Sequence, residues 1–134
     1  KNLVIDSAFR GIFMSGATGD VYVDNVVIDG TTYTISCDQG KYQNFEAYNC
    51  TFNGWTSYAE TLGTAKFVDC SFGEGNGYAF CRPYAPTTFC AFEEGYTMDP
   101  RDEVILDNCT LGGVSITNDN VSDLVTNTKN VTVK

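Results

Sequence analysis

Six cysteines, seventeen carboxylates and no histidine limit the chemistry open to this chain. A nucleophilic thiol needs a neighbouring base, usually an imidazole, to become a thiolate. A zinc site needs cysteine and histidine at short paired spacing, and the sequence holds no Cys-x-x-Cys. Carboxylates remain as the chemical groups to weigh. Glu93 and Glu94 with Glu74, or Asp99, Asp102 and Asp107 near Arg101, form acidic groupings. Paired carboxylates run glycoside chemistry when they face one another across roughly 5–10 Å. Clustered ones hold calcium, but neither an EF-hand loop nor a Gly-Gly-x-Gly-x-Asp repeat is present. These groups are expected to be solvated loop carboxylates, with no metal and no cofactor. Trp55, Tyr48, Tyr58, Tyr78, Tyr84 and Tyr96 supply flat faces that stack on sugar rings, on a protein partner, or on one another in a core.

The elements that must position these groups are organised by a repeat. Asp6-Ser7-Ala8-Phe9, Asn25-Val26-Val27-Ile28, Asn49-Cys50-Thr51-Phe52, Asp69-Cys70-Ser71-Phe72 and Asn108-Cys109-Thr110-Leu111 share one pattern, and Phe89-Cys90-Ala91-Phe92 is a weaker copy. Each places an Asx residue before a small or β-branched one and a large apolar residue two positions later. Second positions at 7, 26, 50, 70, 90 and 109 step by 19, 24, 20, 20 and 19 residues, the length of a short solenoid coil. A glycine follows each copy, at Gly11, Gly30, Gly54, Gly75, Gly95 and Gly113, and marks a turn.

Strand-like triplets flank every copy. Ile12-Phe13-Met14, Tyr33-Thr34-Ile35, Tyr78-Ala79-Phe80, Tyr96-Thr97-Met98 and Val114-Ser115-Ile116 follow the glycines, while Leu3-Val4-Ile5, Val21-Tyr22-Val23, Lys66-Phe67-Val68 and Val104-Ile105-Leu106 precede the Asx positions. Three strands per coil predict an all-β chain: a right-handed, single-stranded parallel β-helix of about six coils. The expected coils are residues 1–19, 20–41, 42–64, 65–87, 88–102 and 103–116, forming one domain over 1–134. Asx corners suit the left-handed conformation that such a path needs. Cys50, Cys70, Cys90 and Cys109 then stand at equivalent inward positions as a column of small apolar thiols. Side-by-side Cβ vectors make that column a poor disulfide framework. Cys37 and Cys81 fall in the second strand set, two coils apart and beyond disulfide reach. The run from Thr117, with an Asx residue before Val121, Leu124 and Val125, predicts a short helical cap in 117–134.

The Asx-Cys-Thr-Phe coils resemble right-handed β-helix proteins of the pectate-lyase-like superfold, and especially repeat regions of bacterial surface and adhesin-like proteins. The resemblance covers roughly residues 3–116. It implies an extracellular or cell-surface rod, and that superfold carries lyases, hydrolases, tailspikes and inert stalks alike. Pectin-degrading hydrolases of the superfold carry an Asp pair and a Gly-His-Gly, and neither occurs here. Arg82-Pro83 is the sole echo of the calcium-dependent lyases.

A net charge of −9 repels phosphate backbones and anionic bilayers, so nucleic acid is an unsuitable partner. No apolar run approaches the roughly 18–20 residues of a membrane span. The sequons at Asn49, Asn108, Asn120 and Asn130 follow partly from the repeat itself. The expected function is a non-catalytic surface module, adhesin-like or a structural rod presenting loops, with a polysaccharide or a host or cell-surface protein as partner. The alternative is a carbohydrate-binding or carbohydrate-active fragment using Trp55, Tyr58, Tyr84, Glu74, Glu93 and Glu94.

Overall fold

A computed structural model describes residues 2–6, 9–15, 19–29, 33–38, 43–57, 62–73, 89–90, 103–126 and 131–134. Within these the chain is all-β with parallel sheets and one short helix. Strands are numbered in chain order. The strands that follow the Asx positions are β1 (Leu3–Asp6), β4 (Val26–Asp29), β7 (Thr51–Asn53), β10 (Ser71–Gly73) and β13 (Thr110–Leu111), and they pair in that order. Those that precede the Asx positions are β3 (Val21–Asp24), β6 (Gln43–Tyr48), β9 (Leu62–Val68) and β12 (Glu103–Asp107), and β16 (Val131–Val133) completes their sheet. A third sheet joins β2 (Arg10–Ser15), β5 (Tyr33–Asp38) and β8 (Trp55–Ser57). A fourth pairs β11 (Phe89–Cys90) with β15 (Val125–Thr126).

The corners explain why neighbouring strands share one core. Asn2, Asn25, Asn49, Asp69 and Asn108 all adopt positive φ, between 50° and 57°. Asparagine and aspartate tolerate that left-handed conformation better than other L-residues with a full side chain. The corner resets the side-chain alternation: Phe45 and Ala47 point inward, Tyr48 and Asn49 do not, and Cys50 and Phe52 point inward again. Without the reset, a period of two would turn the second strand's apolar residues to solvent. Successive corners also bond to one another. Asn25 Nδ2 donates to Asn2 Oδ1 and Asn108 Nδ2 to Asp69 Oδ1, each at 2.6 Å. The Asn49 backbone N–H donates to the Val68 carbonyl one strand on, at 3.0 Å.

Large and small residues alternate across the core. Phe45 pairs with Ala65 and Ala47 with Phe67, so each bulky ring faces a methyl on the next strand. Phe67 is the hub. It meets Phe72 edge-on at 5.1 Å, Phe45 at 5.7 Å and Phe52 at 6.0 Å, while Phe52 stacks on Phe72 at 5.6 Å.

Several expectations are corrected. Register pairs Leu3 with Val26, so the N-terminal copy of the motif is Asn2-Leu3-Val4-Ile5 and not Asp6-Ser7-Ala8-Phe9. The strand Leu3-Val4-Ile5 accordingly follows its Asx residue instead of preceding one. Ser71 pairs directly with Thr110, and Ala65 with Val104, although 39 residues separate Asp69 from Asn108. The predicted coil 88–102 therefore contributes no rung between β10 and β13, and Cys90 is not in the column. It lies on β11, against β15. Phe89 stands where the other copies carry the Asx residue, and a bulky aromatic side chain disfavours the left-handed conformation of those corners. Val114-Ser115 forms β14, which returns antiparallel on β13. Gly112 and Gly113, at φ 56° and 79°, build the tight hairpin turn.

The cap is short. Asn120 Oδ1 accepts from the Thr117 N–H at 2.7 Å and Asn120 Nδ2 donates to the Ser115 carbonyl at 2.8 Å, after which α1 (Val121–Leu124) makes one turn. Val125, expected within that helix, begins β15. Val121 and Leu124 pack on the core.

Substitutions at two positions test this account by chemical denaturation. Phe67→Ala removes the ring that joins both sheets and is expected to cost about 3–5 kcal/mol. Asn49→Val is expected to cost about 1–2 kcal/mol through its left-handed backbone, whereas Asn49→Gly leaves stability nearly unchanged. Equal losses for both Asn49 variants would contradict the conformational explanation.

Candidate functional site

Two groupings in the described residues could do chemistry, one buried and one on the surface. The buried one is the thiol column. Val26, Cys50, Cys70 and Cys109 each follow a corner, and the Ser71 and Thr110 N–H groups donate to the carbonyls of Cys50 and Cys70 at 2.9 and 3.0 Å. All three cysteines are buried free thiols. Cys50 Sγ–H donates to the Tyr48 carbonyl at 3.1 Å. Cys70 reaches the carbonyls of Val68 and Ala47 at 3.3 and 3.6 Å, and Cys109 those of Asp107 and Phe67 at 3.4 and 3.5 Å.

Hydrogen bonding within the column shifts its thiols in opposite directions. Cys70, between its two neighbours, is held well above the ordinary thiol range by hydrogen bonds to Cys109 and Cys50 and by burial. Cys50 and Cys109 are lowered, chiefly by their interaction with the Cys70 thiol. Desolvation opposes this at both positions, and nearby Asp24 and Asp107 disfavour a negative sulfur there. Burial and an Sγ contact to a strand carbonyl at each of the three rungs make the column packing material.

The surface grouping lies on the outer face of the sheet formed by β3, β6, β9, β12 and β16. Register aligns Tyr22, Glu46, Lys66, Ile105 and Thr132 in one row across five strands. Asp24, Tyr48, Val68 and Asp107 form the next row. The Tyr22 and Tyr48 rings lie 5.3 Å apart, tilted by 35°. The Tyr48 hydroxyl donates to Glu46 Oε2 at 2.6 Å and accepts from Lys66 Nζ at 3.1 Å. Nζ lies 5.3 Å from the Tyr48 ring centroid, so the ammonium sits at the hydroxyl rim and not over the face. The Lys66 pKa is raised, first by the hydrogen bond to Tyr48, then by the charges around it, with Glu46 and Asp107 contributing. Lys66 therefore stays an ammonium through the neutral range.

On the third sheet, the Arg10 guanidinium lies 4.2 Å from the Phe13 ring centroid and 5.7 Å from those of Phe9 and Tyr33. Phe9 and Phe13 are exposed.

Comparison with family models, with curated proteins and with solved structures finds no match to this chain. Among the described residues, no three His, Cys, Asp or Glu side chains gather as metal ligands. No described helix is long and apolar enough to cross a membrane.

Of the residues singled out from sequence, Trp55 lies on β8, its backbone paired with Tyr33. Its side chain, and Tyr58, Tyr84, Glu74, Glu93 and Glu94, lie outside the described residues, as do Tyr78, Tyr96, Cys81, Asp99, Arg101 and Asp102. The row of Tyr22, Glu46 and Lys66 escaped the sequence reading. Its signal was present: each stands three residues before its Asx corner, as does Ile105.

The burial of the column predicts how it reacts. In native buffer, Cys50, Cys70 and Cys109 are expected to resist iodoacetamide, and all three label once denaturant opens the sheets. Peptide mass mapping reads this out, and rapid native labelling of Cys70 would contradict the packing.

Proposed function

We propose that the chain is a non-catalytic surface module, a rigid rod wound as a right-handed parallel β-helix that displays loops and holds an adhesive face away from the cell. The observation that carries this reading is the order in which the strands visit the sheets. The passes β3–β4–β5 and β6–β7–β8 take the same three stations in turn, each strand pairing parallel with its predecessor, and β9 and β10 return to the first two stations. A path that returns to the same station every pass is a solenoid path, and parallel crossovers are overwhelmingly right-handed. Each added rung lengthens the stack by about 4.8 Å and buries one more layer of rings and thiols.

The carboxylates support the same reading through what they bind. Asp20 accepts from the backbone and side-chain nitrogens of Asn44, Glu103 from Thr132, and Asp69 from Asn108, each joining one rung to another. They act as braces between strands. An exported, bacterial surface setting rests on the resemblance of the Asx-Cys-Thr-Phe coils to adhesin-like repeats, and the polysaccharide or cell-surface protein partner follows from it.

The test is a turnover assay. Incubated with polygalacturonate, pectin and xylan, with and without calcium, the purified chain is expected to release neither reducing ends nor unsaturated products. Turnover that co-purifies with the chain and disappears in Glu46→Gln would overturn the non-catalytic reading.

A further inference from the structure

We propose that the Tyr22–Glu46–Lys66 row is a docking platform for a neutral, linear polysaccharide. The inference rests on the surface-module reading and names the ligand of its adhesive face.

Tyr22 presents a ring that is 57% exposed at the start of the row, tilted against that of Tyr48. Parallel strands about 4.8 Å apart put Glu46, Lys66 and Ile105 at successive rungs beyond it, roughly 14 Å from end to end. A sugar ring offers an apolar C–H face to an aromatic ring and hydroxyls around its rim. Each hydroxyl both donates and accepts, so one bridging hydroxyl satisfies a carboxylate and an ammonium together. Glu46 and Lys66 are that pair, and the Tyr48 hydroxyl between them holds both in place. Glu46 keeps its second oxygen for a ligand, and Lys66 keeps two of its three N–H donors. Preorganisation of this kind lowers the ordering cost of binding.

Charge selects the class of polysaccharide. The Glu46 carboxylate and Lys66 ammonium offset each other, Asp24 and Asp107 flank them in the adjacent row, and the whole chain carries −9. A polyanion such as polygalacturonate is repelled. A neutral chain is not, and its linear run matches the direction of the row across the strands.

Native affinity electrophoresis of the whole chain tests this, with gels containing mixed-linkage β-glucan, xyloglucan, galactomannan or polygalacturonate. The expected result is retardation in at least one neutral gel and none in polygalacturonate. Tyr22→Ala should weaken that binding about tenfold, and Lys66→Met should weaken it as well. Both positions lie outside the core, so unchanged denaturation midpoints confirm that each variant is folded. Free mobility in all three neutral gels overturns the proposal and leaves the face to a protein partner, as does retardation that survives the Tyr22→Ala/Lys66→Met double substitution. Turnover in the assay above, with binding intact, would instead overturn only the non-catalytic reading.

Discussion

A single backbone conformation, repeated at five Asx corners, is the constraint on which the rest of this structure depends. A strand presents alternate residues to opposite faces, and two strands joined by extended backbone would keep that parity. The left-handed residue breaks it. Inward positions then run 45, 47, 50, 52 and again 65, 67, 70, 72, so two strands meeting at a corner bury their apolar sides in the same core. Asn and Asp reach this conformation at modest cost, and their short side chains bond to the neighbouring corner. One residue per turn of chain therefore sets direction, parity and spacing together.

Packing follows from that geometry. Register stacks chemically similar side chains, so Ile28, Phe52, Phe72 and Leu111 stand in line, as do Val26 and the three thiols. Two phenylalanines in line stack well, but a third sheet position must then be small, which the exchange of Phe45/Ala47 for Ala65/Phe67 provides. Cysteine suits its column for a related reason. It is small enough to repeat at every rung, and its S–H finds a strand carbonyl, so burial leaves no unpaired donor. The same stacking acts on the outer face. There, unlike groups fall in line, and an aromatic ring, a carboxylate and an ammonium become neighbours although they come from three separate strands.

The repeat was legible because its signature is local. Asx, a small residue and a large apolar residue at fixed offsets reveal a corner wherever they recur, and alternation in the flanking triplets identifies strands. The reading failed where local similarity and pairing disagreed. Phe89-Cys90-Ala91-Phe92 has the apolar spacing of a copy but lacks the Asx residue, and the ladder passes from Cys70 to Cys109 without it. Asp6-Ser7-Ala8-Phe9 has the Asx residue, yet Asn2 makes the corner, since pairing with β4 is decided by the whole strand.

The sequence by itself determined the all-β class, the Asx corners from Asn25 onward and the identity of three inward thiols, because these depend on residue type and short spacing. Tertiary structure alone decided which rungs are neighbours, how Gly112-Gly113 turns β14 back, and which outward residues share a row. Pairing is a property of two strands distant in the chain. The contact of Tyr48 with Glu46 and Lys66 therefore exists only once β6 and β9 lie side by side in register.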